Sequence, residues 1–131
     1  KAFQEAGSVL RELPAKVPND NLTNKSLAVF RAEYGFFQQK NAKNESALEN
    51  FREALKLLET QSTQNDWAEL KASIYEGIGD VQLLLDQKTE AADSYQKSLE
   101  IRQNSQRAGK LSTENSNRIS QIQMKIIKIQ K

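Results

Sequence analysis

The sequence of 131 residues contains no cysteine and no histidine. These two absences exclude disulfide bonds, thiolate zinc sites, cysteine nucleophiles and imidazole general bases. Only 5 glycines and 2 prolines are present, whereas β-barrels and sandwiches need such residues at their many turns. Neither of the common glycine-rich phosphate-binding motifs occurs. The composition therefore predicts an all-α chain that is not an enzyme and has no cofactor or metal site.

Long hydrophobic runs are also missing. The longest is 81–85, which is far shorter than the roughly 20 apolar residues that a membrane-spanning helix needs. The opening residues 1–3 do not begin a signal peptide. We therefore expect a cytoplasmic protein that does not cross a membrane.

Charge is unevenly distributed, although the net charge is only +2. Residues 107–131 contain six basic residues and one acidic residue, a net charge of +5, which leaves −3 for residues 1–106. No aromatic residue lies among the basic residues of this tail, although single-stranded nucleic acids are usually bound by cations and aromatic rings together. Binding to nucleic acids or membranes is therefore not expected.

Apolar residues recur with the period of an α-helix along most of the chain. Pro14 ends the first helical segment, and the expected N-terminal caps are Thr23 or Asn24, Asn65 and Thr89. The periodicity predicts helices over about 2–13, 22–39, 44–61, 67–86, 89–103 and 112–130.

Two segments of the chain repeat one pattern. In each, a glycine on the first helix is followed twelve residues later by an alanine, and four residues after that by an aromatic residue. The copies are Gly35, Ala47 and Phe51, then Gly79, Ala91 and Tyr95, with an offset of 44 residues. A glycine inside a helix costs about 1 kcal/mol relative to alanine, so its recurrence predicts a close approach of two helices. We expect the aromatic side chains to fill the space between one helix pair and the next.

This pattern resembles the tetratricopeptide repeat (TPR), whose first helix carries a large residue before a glycine and whose second helix carries Ala-x-x-x-Phe/Tyr. Tyr75 and Arg31 replace the tryptophan that is usual in the family, and the offset of 44 residues exceeds the usual period of about 34. The resemblance implies antiparallel helix pairs stacked into a short right-handed α-solenoid of about six helices. The alternative is a generic antiparallel helical bundle.

The resemblance also implies a division of the chain. A single TPR-like domain over 1–131, cut from a longer protein, is expected to contain the second helix of a partial repeat at 1–14, repeats at 22–61 and 65–105, and a terminal helix at 111–131.

The function implied by the resemblance is a non-enzymatic protein-protein interaction scaffold that binds a peptide or helix in a concave groove lined by first helices. Glu76 and Asp80 are expected in this groove and outside the core, where they would favour a neutral or basic partner. The predicted groove residues are Ala32, Phe36, Gln39, Lys40, Glu76, Asp80, Leu83 and Leu84.

The alternative function is self-association into a homo-oligomer through the isoleucine-rich C-terminal helix. Its apolar residues cover more than half of the circumference, which is broader than a terminal helix needs. They are Ile119, Ile122, Met124, Ile126, Ile127 and Ile129.

Overall fold

The computed structural model describes residues 21–59, 67–109 and 113–130. These residues contain helices and turns but no strand, which confirms the all-α class. The helices are α1 (Asn21–Lys40), α2 (Asn44–Glu59), α3 (Ala68–Leu84), α4 (Lys88–Arg107) and α5 (Thr113–Gln130). Five helices are therefore seen in the described ranges, against about six predicted, and the helix predicted within 1–14 lies outside those ranges.

The predicted helix boundaries fall within a few residues of the observed ones. The largest difference is at the end of α4, which extends to Arg107 instead of residue 103. Thr89 was expected to cap α4, but that prediction is wrong because the helix begins at Lys88 and Gln87 occupies the cap position. A backbone hydrogen bond from Gln87 N to Gln82 O, 2.8 Å long, closes the turn that precedes α4. The helix therefore begins earlier than the sequence indicates.

The chain divides into two compact units, one within residues 1–63 and the other within 64–131. In the first unit α1 packs against α2; in the second, α3 packs against α4 and α4 packs against α5. Short turns join the helices of the α1–α2 and α3–α4 pairs, a connection typical of antiparallel neighbours.

The same turn closes both helix pairs. Each turn has one residue in the left-handed region, Ala42 with φ 59° in the first pair and Asp86 with φ 61° in the second. A left-handed residue after a helix is typical of a C-terminal motif in which the N–H of the following residue donates to the carbonyl five residues before it. Those bonds join Lys43 N to Gln38 O at 2.9 Å and Gln87 N to Gln82 O at 2.8 Å. The two turns therefore match residue by residue at the offset of 44.

A polar contact between the paired helices is repeated at the same offset. In the first pair Asn50 Nδ2 donates to Gln38 Oε1 at 2.7 Å. In the second pair Ser94 Oγ donates to Gln82 Oε1, also at 2.7 Å. The two glutamines and their two partners are each 44 residues apart, so the repeat extends to side-chain hydrogen bonds that the sequence pattern did not identify.

The glycines lie where the paired helices approach most closely. A methyl carbon added at Gly35 would lie 2.8 Å from Cδ1 and Cε1 of Phe51, and one at Gly79 would lie 2.6 Å from Cε1 of Tyr95. Because real Cβ atoms do not approach so closely, the predicted close packing at both glycines is confirmed. Each aromatic ring lies on the glycine of its own pair, a contact that the sequence did not predict, and Tyr95 also packs in a cluster with Ile119 and Ile122 of the next helix, α5.

A buried arginine joins the three helices of the second unit. Arg102 of α4 is only 1% exposed and occupies the position equivalent to Leu58 of the first pair. Its Nη1 donates to Glu69 Oε2 at 2.8 Å on α3 and to Asn115 Oδ1 at 3.2 Å on α5. Its Nη2 donates to Ser73 Oγ at 3.2 Å. These bonds attach the N-terminal part of α5 to the α3–α4 pair.

The close contact at Gly79 predicts that Gly79→Ala destabilises the chain, by about 1–3 kcal/mol, because the added methyl group overpacks against Tyr95. In a Tyr95→Leu background the same change should be neutral or stabilising, since alanine favours a helix by about 1 kcal/mol over glycine. Urea unfolding followed by circular dichroism measures both effects. Gln96→Ala, at an exposed site on α4, is the control. Increased stability of Gly79→Ala in the otherwise unchanged chain would contradict the assigned contact.

Candidate functional site

Two carboxylates on α3 bind one lysine of α5. Glu76 and Asp80 are four residues apart and so lie on one face of the helix. The Nζ of Lys125 lies 2.7 Å from Glu76 Oε2 and 3.0 Å from Asp80 Oδ1. One ammonium group therefore bridges two consecutive turns of α3.

A tyrosine from α4 completes this site. The hydroxyl of Tyr95 donates a hydrogen bond to Asp80 Oδ1, which fixes the orientation of that carboxylate. The Nζ of Lys125 lies 5.5 Å from the centroid of the Tyr95 ring, within the range of a cation–π interaction. We call Glu76, Asp80, Tyr95 and Lys125 the ammonium site.

A second cation of α5 lies near the other oxygen of Glu76. Arg118 Nη1 lies 3.8 Å from Glu76 Oε1, and Arg118 Nη2 lies 3.8 Å from Glu114 Oε1. Arg118 and Lys125 are seven residues apart, about two helical turns, and therefore lie on the same side of α5. Ile122, between them, is fully buried. The face of α5 that meets α3 and α4 thus presents a cation, an isoleucine and a second cation in sequence.

The burial of Glu76 corrects an expectation from the sequence. This residue was expected outside the core, but it is only 7% exposed. A buried carboxylate is costly unless a cation and hydrogen bonds compensate for its lost hydration. Lys125 compensates Glu76 at Oε2, whereas Oε1 has no hydrogen-bond partner among the described residues and lies 3.8 Å from Arg118 Nη1. The equivalent position in the first pair is Ala32, which is fully buried and needs no counter-charge.

The environment of the ammonium site shifts the pKa of two of its groups. Burial raises the pKa of Tyr95 well above its ordinary value of 10.0, and the hydrogen bond to Asp80 and the charges of Asp80 and Glu76 raise it further. Partial burial alone would lower the pKa of Lys125, but its hydrogen bonds to Glu76 and Asp80 outweigh burial and raise the pKa above 10.5. Both groups therefore keep their protons more strongly in the folded chain than in the unfolded chain.

The predicted groove residues of the first unit have different environments. Ala32 is fully buried, and the ring of Phe36 packs edge-on against Phe51 with centroids 4.8 Å apart. Gln39 is partly exposed and Lys40 is exposed at the end of α1. The two polar residues thus present more surface to a ligand than Ala32 does.

The predicted groove residues of the second unit include two exposed leucines. Leu83 and Leu84 lie on the last turn of α3, one turn beyond the ammonium site, and are 39% and 68% exposed. They provide apolar surface close to Asp80. A groove shared by the two units stays a prediction.

The apolar residues of α5 divide into two groups. Ile119 and Ile122 are buried in a cluster with Tyr95 and other residues of α4, and Ile126 and Ile129 pack against that cluster. Met124 and Ile127 are exposed. The part of the predicted self-association surface that α4 leaves open is therefore centred on these last two residues.

Two important side chains were not identified from the sequence as site residues. Tyr95 was assigned only to packing, although a hydroxyl at a position where the first repeat has Phe51 indicates a buried hydrogen-bond partner. The sequence predicts no role for Arg102, although it follows Tyr95 and Leu99 on the apolar stripe of α4. A polar or charged residue that interrupts a repeated apolar pattern was the available signal in both cases.

The described ranges contain no cluster of acidic side chains that could hold a metal ion. Over the same residues, no helix combines the length and apolar character required to span a bilayer. No known family model matches the chain, and no curated protein matches it.

The raised pKa values of Tyr95 and Lys125 predict a loss of stability at alkaline pH. Stability contributed by these protonated groups is present below their ordinary values of 10.0 and 10.5, and is lost as the pH rises above them. Tyr95 alone contributes a slope of up to about 1.4 kcal/mol per pH unit. Urea unfolding between neutral and alkaline pH should show a shallower decline for Tyr95→Phe than for the unmodified chain. Tyr75→Phe controls for the loss of a tyrosine, and equal slopes in all three proteins would contradict the prediction.

Proposed function

We propose that this chain is a cytoplasmic, non-enzymatic scaffold of TPR-like helix pairs that binds a protein or peptide on the faces of its first helices, α1 and α3. The observation that supports the proposal most directly is the ammonium site. There, the carboxylates of α3 bind the cations of a separate amphipathic helix, α5. A surface that accommodates one basic helix has the chemistry needed to recognise another.

The family part of the proposal is supported by the repeated contacts. The turns at Ala42 and Asp86, the glycine–aromatic contacts and the glutamine hydrogen bonds all recur at the offset of 44. Repetition at this level of detail is expected of stacked repeats, in which each pair is built alike. It is not required of a helical bundle. Stacking of the two pairs into a right-handed solenoid with a concave groove is part of this proposal.

The preferred partner is a neutral or basic peptide or helix. Glu76 and Asp80 would attract cations and repel an acidic ligand, while Leu83 and Leu84 offer apolar contact beside them. Phe36 on α1 provides a partly exposed ring in the first unit. Two helix pairs offer limited surface, so we expect micromolar affinity, about −8 kcal/mol.

A peptide array probed with the whole chain tests this proposal. The unmodified chain should select peptides rich in lysine or arginine, and the double variant Glu76→Gln with Asp80→Asn should bind them about tenfold more weakly, because the attracting charges are lost. The matched control is Glu90→Gln with Asp93→Asn, which removes the same two charges from exposed positions of α4. Identical peptide selection by all three proteins would show that the carboxylates of α3 do not determine the partner.

The second candidate function is self-association through α5, supported by the exposure of Met124 (55%) and Ile127 (45%). Two apolar residues on adjacent turns form a small patch that a second copy of the helix could cover. The face is narrower than the sequence indicated, because Ile119 and Ile122 are buried within the second unit.

Sedimentation over a wide concentration range tests this alternative. The unmodified chain should associate as its concentration increases, and Met124→Ser with Ile127→Ser should abolish association by removing the apolar patch. Leu84→Ser is the control, since Leu84 is exposed on α3 and lies outside this patch. A strictly monomeric chain at every concentration would rule out self-association as the function.

A further inference from the structure

The ammonium site has the composition of a receptor for a lysine side chain. Two carboxylates contact one Nζ at 2.7 and 3.0 Å, and an aromatic ring lies 5.5 Å away. The ammonium group of lysine carries three N–H donors on one nitrogen, so it suits several acceptor oxygens grouped around a single point. The planar guanidinium group of arginine instead favours one carboxylate, which it binds with two parallel hydrogen bonds. The hydroxyl of Tyr95 donates to Asp80 Oδ1, the same oxygen that accepts from Lys125, and makes no contact with Glu76, whose Oε2 accepts from Lys125. The site is therefore better matched to lysine than to arginine.

The segment that fills this site has a definite sequence pattern. Arg118, Ile122 and Lys125 lie on one side of α5, with spacings of four and three residues. Ile122 is fully buried in the cluster formed with Ala91, Tyr95 and other α4 residues. A helix with a lysine three residues after a large aliphatic residue, and an arginine seven residues before the lysine, would satisfy the same surface.

The two halves of α5 are attached differently. The N-terminal half is joined to buried Arg102 through Asn115, with bonds of 3.2 and 3.3 Å. Among the described residues, the half that contains Lys125 has no such hydrogen bond to Arg102; it packs Ile126 and Ile129 against the α4 cluster and also carries exposed Met124 and Ile127. The side chain of Lys125 itself retains 34% exposure, so solvent reaches the lysine that occupies the site.

We infer that Glu76, Asp80 and Tyr95 form a recognition site for a lysine presented on an amphipathic helix, and that α5 is its exchangeable intrachain occupant. This inference rests on the proposed function, because it assigns the ligand chemistry and regulation of the same α3 surface. A partner helix with the pattern Arg-x-x-x-Ile-x-x-Lys competes with α5. The intrachain helix thereby lowers the affinity for external ligands in proportion to the fraction of molecules in which the site is open.

Binding of a labelled peptide with the sequence of residues 113–130 to the whole chain tests this inference. Lys125→Glu places a third carboxylate at the site and should expel the half of α5 that contains it. The variant should then bind the peptide at least about tenfold more tightly than the unmodified chain, as expected if the site is open in a tenth or less of unmodified molecules. Lys128→Glu is the matched control, since it makes the same charge change at an exposed position of α5. This control should bind no better than the unmodified chain.

Three further changes identify the contacts. A peptide with Lys125→Gln should lose the gain in affinity, because it lacks the ammonium. Adding Glu76→Gln and Asp80→Asn to the Lys125→Glu chain should abolish the gain as well, since the receptor carboxylates are then missing. A peptide with Lys125→Arg should bind more weakly than the lysine peptide if the site discriminates between the two cations.

Several outcomes would overturn the inference. Equal peptide binding by the Lys125→Glu and Lys128→Glu chains would show that α5 does not block the site. Circular dichroism of the Lys125→Glu chain gives a second such outcome. If the second unit loses its helicity, Lys125 is a fixed part of the core and not an exchangeable occupant. If basic peptides selected on the array bind the unmodified and Lys125→Glu chains equally, the proposed function stands and the competition by α5 is rejected.

Discussion

The contact between a glycine on one helix and an aromatic ring on its partner determines the geometry of both helix pairs. Gly35 faces Phe51 and Gly79 faces Tyr95 at distances that any larger residue would obstruct. Because the helices approach so closely, polar side chains on either side of the ring can also meet, as Gln38 and Asn50 do at 2.7 Å. The turn and the glutamine hydrogen bond accompany this close approach in both pairs.

The second pair uses this geometry differently from the first. Tyr95 replaces phenylalanine, and its hydroxyl requires a partner, which Asp80 provides. Arg102 replaces Leu58, and its Nη atoms donate to Glu69 and Ser73 of α3 and to Asn115 of α5. Burial of such groups is favourable only when their charges and hydrogen bonds are compensated. The second pair therefore contains polar and charged groups that require partners on a neighbouring helix. The helix α5 supplies them, a cation for the carboxylates and an amide for Arg102.

The contacts that hold α5 in place also bear on the recognition of a partner. The residues that hold α5 are also those that would select a partner, because carboxylates on α3 cannot distinguish a lysine of the same chain from a lysine of another molecule by charge alone. Affinity for an external helix then depends on how often α5 leaves the site. Under the proposed function, stability and ligand binding would use the same interactions in the second unit, whereas the position in the first pair that is equivalent to Glu76, Ala32, is apolar and buried.

The sequence by itself determined the all-α class, the approximate helix limits, the offset of 44 residues and the close approach of two helices at each glycine. These features depend on local periodicity and on spacings within one helix pair, which a sequence displays directly. The tertiary structure alone decided that Lys125, among six basic residues of the tail, binds Glu76 and Asp80, and that Glu76 is buried. Those contacts join residues 45 and 49 positions apart, through flexible side chains on separate helices. Charge pattern limits such pairings to opposite signs, but only the packing of α5 against α4 selects the lysine that reaches the site.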